Sequence, residues 1–133
     1  MLGIREPETY GKTNYAALID TLKAHSKKLG YELITYQSNH EGDLVDKIQE
    51  AYFMGANGIV INPGAYTHTS IALLDAIKAT SIPTVEVHIS KIEEREDFRQ
   101  ISFIRAAVKK TITGHGICGY TEAIEFLLEA YCK

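Results

Sequence analysis

Apolar residues recur along the chain with two different periods. Across residues 15–29 they return every three or four positions, with Leu18, Ile19, Leu22 and Leu29 on one side and lysines elsewhere. That spacing predicts an amphipathic helix. Asn14 or Thr13 is placed to cap its start, and Gly30 to stop it. Residues 31–36, YELITY, read as a strand. Residues 41–54 predict a second helix with Leu44, Val45, Ile48, Ala51 and Tyr52 inward and Gly55 at its end. GIVI, residues 58–61, reads as a buried strand. Residues 69–80 predict a helix with Ile71, Leu74 and Ile77 at helical spacing. Pro83 opens another strand, TVEVHI. Residues 91–99 are too polar for a core. A helical turn over 103–108, a short strand over 111–113 and a closing helix over 120–131 complete the series.

Strands that alternate with helices of this length imply βαβ units and a parallel sheet, hence an α/β fold. Such sheets bind ligands beyond the carboxyl ends of their strands. Three segments fall there: QSNHEG, NPGAYTHTS and HIS. One feature departs from the pattern. The chain opens with a polar loop, LGIREPETYGK, where a sheet of this size normally opens with its central strand. The expectation is that this first strand is missing from the chain as written, which then reads as a fragment of a longer one.

Composition narrows the function classes. A chain of 133 residues suits one domain spanning 1–133. At 45% hydrophobic and 23% charged it resembles an ordinary globular protein. The net charge is −3, and the only short basic clusters are Lys27-Lys28 and Lys109-Lys110. Nucleic acid is therefore not an expected partner, since it selects for a basic stripe. No apolar run approaches the ~18 residues of a membrane span, and MLGIREPE has no signal-peptide pattern. Cys118 and Cys132 lack metal-ligand spacing and read as free thiols of a cytosolic protein. Neither GxGxxG nor a GxxxxGK[ST] loop is present, so nucleotide binding has no motif support.

Four segments hold candidate chemistry. In EVHIS, strand alternation puts Glu86 and His88 on one face and Val85 and Val87 on the other. A carboxylate beside an imidazole orients it and favours its protonated form, which suits a proton donor; the alternative is a satisfied histidine at a sheet end. Ile89 and Ser90 then offer two backbone N–H groups able to hold a carboxylate. In REPETYG, Arg5 and Tyr10 share a short loop. A phenol with a pKa of about 10 is a poor base at neutral pH unless a cation lowers it. Either Arg5 does this for Tyr10, or Tyr10 packs and Arg5 is a surface charge. In REDFRQIS, Arg95 and Arg99 stand four apart on one helical face. They either pair with Glu94 and Asp97 or bind an anion or hydroxyl-rich ligand. Asn62 and His68 lie in NPGAYTHTS, where Thr67 and Thr69 can cap the following helix. His68 and Asp75 sit at the start and middle of that helix, too far apart and too few for a metal site. His40, with Asn39, Glu41 and Asp43, reads as helix-cap chemistry; His25 and His115 have no evident partners.

Taken together, LGIREPETYG, QSNHEGDLVDKI, GIVINPGAYTHTSIALLDAI, PTVEVHIS, EREDFRQIS and GHGICGYTEAI cover almost the whole chain. In order and spacing they resemble type II 3-dehydroquinate dehydratase. The resemblance implies a flavodoxin-like fold, a cytoplasmic homo-oligomer that is a dodecamer built from trimers, and no cofactor or metal. It implies dehydration of 3-dehydroquinate to 3-dehydroshikimate in the shikimate pathway, which feeds aromatic amino acid biosynthesis. In that family a loop tyrosine, matched by Tyr10, removes a proton beside the ketone to give an enolate. The arginine that keeps it ionised matches Arg5. The acid that protonates the departing hydroxyl matches His88, oriented by Glu86. Asn62, His68, Ile89, Ser90 and Arg99 match substrate-binding positions, Arg95 a lid arginine, and Asp75 a residue reaching a neighbouring subunit's substrate. The family's first strand ends in an asparagine-bearing turn before Leu2-Gly3, and that asparagine helps hold the water that stabilises the enolate. Its absence keeps a second reading open: a non-catalytic binding or assembly protein on the same fold.

Overall fold

A computed structural model describes residues 2–4, 13–91 and 95–132. The first helix, α1 (Tyr15–Leu29), starts where the Asn14 side chain accepts the Ala17 N–H at 2.9 Å, and it ends at Gly30 with φ 75°. It is followed by α2 (Glu41–Phe53), β1 (Ile59–Ile61), a 3-10 turn (Gly64–His68), α3 (Ile71–Thr80) and β2 (Thr84–His88). Two more 3-10 turns (Asp97–Gln100 and Ile104–Ala106), β3 (Lys110–Thr113) and α4 (Cys118–Tyr131) complete the described elements.

The sheet is parallel, in the order β1-β2-β3, so β2 is central and all five of its residues are buried. Helices cover both faces, as a parallel sheet requires. On one face Ile61 packs with Ile48 of α2 and with Leu73, Ala76 and Ile77 of α3, together with Ile104. On the other, Val85, Val87 and Ile112 pack with Ala123 and Leu127 of α4. The close fit of α4 depends on Gly119: a Cβ there would stand 3.1 Å from Val87 Cγ1.

Several expectations are corrected. Residues 31–36 form no strand, because a strand exists only through ladder bonds and none joins this segment to the sheet among the described residues. Ile34 and Tyr36 are accordingly exposed. Helix α3 begins at Ile71, not at residue 69, and its cap is Ser70, whose hydroxyl accepts the Leu73 N–H at 3.0 Å; neither Thr67 nor Thr69 serves. Leu29, Tyr52 and Ile71, expected inward, are 45%, 55% and 56% exposed. Each lies in an end turn of its helix, beyond the layer that the helix covers.

This burial pattern predicts unequal costs for two substitutions in α3. Leu73 is fully buried, so Leu73→Ala should destabilise by about 2–5 kcal/mol. Ile71→Ala should change stability by no more than about 0.5 kcal/mol. Urea unfolding at one fixed protein concentration measures both, and equal losses would contradict this placement of the helix.

Candidate active site

The three strands end side by side. Ile61 pairs in register with Glu86, and His88 with Thr113, so Asn62, His88 and the chain after Thr113 emerge at one edge. Alternation along β2 does what the sequence implied. Val85 and Val87 enter the α4-side core, while Glu86 and His88 face the other way.

Glu86 has no solvent exposure. A carboxylate so placed must be met by donors. The Thr67 hydroxyl donates to its Oε2 at 2.7 Å, and Ser102 Oγ stands 3.2 and 3.3 Å from its two oxygens. The His88 Nε2–H donates to Oε2 through a short contact. Burial alone would raise the Glu86 pKa. Hydrogen bonds from His88 and Thr67, with positive charge at His88 and Arg105, outweigh it and hold the carboxyl below its usual 4.5. Because the carboxylate fixes which ring nitrogen points inward, His88 Nδ1 faces the other way. Nδ1 has no hydrogen-bond partner among the described residues, yet no buried side-chain polar atom there lacks one. It therefore reaches the surface at the strand end.

The backbone after β2 is gripped by the glycine loop after β3. The Gly114 N–H donates to the carbonyls of His88 (3.3 Å) and Ser90 (3.2 Å), and the Gly116 N–H to Ile89 (3.1 Å). Gly114 has φ 76°, and a Cβ there would stand 2.3 Å from Lys91 Cγ. Only glycine fits this turn without displacing Lys91.

The other expected residues divide. Asn62, just beyond β1, accepts the Gly64 N–H on Oδ1 (3.1 Å) and donates from Nδ2 to the Tyr120 hydroxyl (2.7 Å). Burial pushes the Tyr120 phenol upward against the opposing effect of that bond. His68 ends the 3-10 turn and donates from Nδ1 to the Ile101 carbonyl at 2.6 Å. Thr69 and Ser70, outside helical geometry, separate it from α3, so His68 and Asp75 do not share one helix. Asp75 is exposed on α3, outside this network. Arg95 precedes the 3-10 turn (Asp97–Gln100) that carries Arg99, so the two arginines share no helical face. Both approach Glu96, Arg99 Nε at 2.7 Å and Arg95 Nε at 3.9 Å, a partner that neither alternative had named. Glu94, like Arg5 and Tyr10, lies outside the described residues.

Two histidines judged partnerless are not. His25 contacts the Tyr31 hydroxyl (2.7 Å) and Glu125 (3.0 Å), and His115 contacts Glu122 (2.6 Å). The sequence marked Thr67 as a helix cap, not as a partner of Glu86, and gave no role to Ser102 or Tyr120. The signal for the first two was Glu86 itself. A carboxylate in the middle of a central strand needs donors from outside that strand, and the loops reaching its face carry Thr67 and Ser102. Tyr120 had no such signal. What the arrangement offers chemically is an imidazole whose Nε2–H is fixed by a buried negative charge, leaving Nδ1 outward as the nitrogen able to exchange a proton.

That charge makes stability depend on acid. Glu86 binds its proton less readily folded than unfolded, so its contribution is complete above about 4.5 and is lost as pH falls through the lower folded value. Glu86→Gln should lower Tm at pH 7, and its gap to wild type should narrow between about pH 5 and 3. A gap that stays constant over that range would contradict the ionised carboxylate.

Known proteins resemble this one over nearly its whole length. The family model for dehydroquinase class II matches residues 1–128. A 3-dehydroquinate dehydratase of Caldicellulosiruptor bescii is 49% identical over 129 residues, covering 97% of this chain and 89% of the relative. A type II dehydroquinase structure from Butyrivibrio crossotus superposes with TM-score 0.93 at 51% identity, covering 95% of this chain and 88% of that one. One from Propionibacterium acnes gives 0.92 at 38% identity, with 96% and 88% covered. The flavodoxin-like α/β architecture and the ordered motifs have one explanation: the chain belongs to the class II dehydroquinase family.

Proposed function

We propose that the protein is a hydro-lyase that converts 3-dehydroquinate to 3-dehydroshikimate and water in the shikimate pathway. The observation that carries this reading is the family match across residues 1–128. The ordered proton donor at the end of β2 fits the chemistry required.

Elimination of water beside a ketone needs three things. A base must take a proton from the carbon next to the carbonyl, and the electron pair then moves onto the ketone oxygen as an enolate. A stabiliser must hold that enolate. When the enolate collapses, the bond to the hydroxyl on the next carbon breaks, and an acid must supply the proton that lets it leave as water. We assign the base to Tyr10 and the cation that keeps it ionised to Arg5, both from their place in REPETYG. His88 is the acid. Its Nε2–H is committed to Glu86, so the transferred proton comes from outward-facing Nδ1. Glu86 orients the ring and holds the charge of the imidazolium.

Asn62, His68, Ile89 and Ser90 are assigned to the substrate, the last two through backbone amides. The Gly114–Gly116 loop supports them by holding the carbonyls of the same stretch. Arg99 and Arg95 close over the anionic ligand, which requires them to exchange Glu96 for it. Asp75, exposed and outside the network, is assigned to a neighbouring subunit's site. We assign the oligomer as a dodecamer of trimers, residues 1–133 as one catalytic domain, and the compartment as the cytoplasm. The free, exposed thiols of Cys118 and Cys132 support the last assignment.

The product is a conjugated enone, so ultraviolet absorbance follows turnover. Purified protein given 3-dehydroquinate should raise that absorbance. Folded protein that binds the substrate and produces no rise would contradict the lyase reading. Tyr10→Phe and His88→Ala should each lower kcat by about 10²–10⁴-fold. Undiminished turnover in either variant would remove that residue from its role.

A further inference from the structure

We infer that Thr67 and Ser102 are positioning residues for the proton donor: their hydroxyls form a one-way hydrogen-bond chain ending on Glu86, which holds His88 with Nε2–H inward and Nδ1 outward. The inference rests on the lyase reading for its catalytic meaning, but not for its geometry.

Counting protons sets the direction of the chain. Each hydroxyl carries one proton and can also accept. Thr67 Oγ1 is 2.7 Å from Glu86 Oε2 and 2.7 Å from Ser102 Oγ. Ser102 Oγ is farther from the carboxylate, at 3.2 and 3.3 Å, and accepts the Arg105 N–H at 3.2 Å. Were both hydroxyls to donate directly to Glu86, two oxygens 2.7 Å apart would face each other with no proton between them. The arrangement without that conflict runs from Arg105 N–H to Ser102, from Ser102 to Thr67, and from Thr67 to Glu86. Every donor then points toward the negative charge, and such chains strengthen one another.

The chain also bridges two loops. Thr67 belongs to the 3-10 turn after β1, and Ser102 to the segment that carries Arg95 and Arg99. The same seam holds a bond from the Phe103 N–H to the Thr67 carbonyl at 2.9 Å and the bond from His68 to the Ile101 carbonyl. Removing the Thr67 hydroxyl leaves Glu86 as deeply buried but with His88 as its one close donor among the described residues. A carboxyl so placed tends to take a proton, and a protonated carboxyl no longer dictates which nitrogen of His88 is protonated.

The test uses the full chain with Thr67→Val, Thr67→Ser and Ser102→Ala. Nitrogen-15 NMR of the ring nitrogens reads the His88 tautomer, with His88→Gln to assign the signals. Wild type and Thr67→Ser should hold the Nε2–H form of the neutral ring. Thr67→Val should lose it, and its kcat should fall about 10- to 100-fold with KM changed by no more than about threefold. Ser102→Ala should shift both readouts the same way by less. It keeps the test decisive should Thr67→Val fail to fold. Retention of the Nε2–H tautomer and of kcat in the folded variants would overturn the inference, as would failure of Thr67→Ser to restore them. If wild type turns over no 3-dehydroquinate, the lyase reading falls, and the tautomer alone decides this inference.

Discussion

A buried negative charge organises this molecule. Glu86 sits in the middle of the central strand with no access to water, where an unpaired carboxylate would cost several kcal/mol. The fold meets that cost with His88 from the same strand and the Thr67 hydroxyl from one loop, backed by the Ser102 hydroxyl from another. Satisfying the charge fixes an imidazole at the end of the strand. The demand that stabilises the carboxylate and the order required of a proton donor are therefore met by the same bonds.

The parallel sheet explains why this happens at one edge. With a side-chain period of two, Val85 and Val87 cannot enter the α4-side core without sending Glu86 and His88 to the opposite face. Parallel strands deliver all their carboxyl ends together, so the loops after β1, β2 and β3 meet there. The loop after β1 brings Asn62, Thr67 and His68. The loop after β3 brings the two glycines that grip residues 88–90. The helices supply burial, and the loops supply chemistry.

Much of this was legible in the sequence wherever local periodicity carried the information. The helices and the shared face of Glu86 and His88 follow from spacing of 3.6 or 2, the parallel sheet from alternation of helix and strand, and the Asn14 cap and Gly30 stop from residue type. What spacing could not show was partnership across loops. YELITY has the composition of a strand, but a strand also needs a neighbour. Thr67 has the chemistry of a cap, yet its hydroxyl is 2.7 Å from a carboxylate nineteen residues away, and Ser70 caps instead. His25 found Glu125 a hundred residues distant. Arg95 and Arg99, spaced for a helix, lie before and within a short 3-10 turn and converge on Glu96. The roles proposed for Tyr10 and Arg5 rest on neither period nor geometry but on their place among six ordered motifs.

The central claim is that Glu86 remains ionised although fully buried. Its most direct test is a carboxyl carbon-13 NMR titration of the glutamates, with Glu86→Gln to identify the signal. The account predicts that Glu86 is ionised throughout neutral and mildly acidic pH and titrates below the ordinary carboxylate value of 4.5. A Glu86 signal that is protonated near pH 7 would mean that burial had won over the hydroxyl and imidazole donors. The role proposed for His88 as an ordered proton donor would then have no foundation.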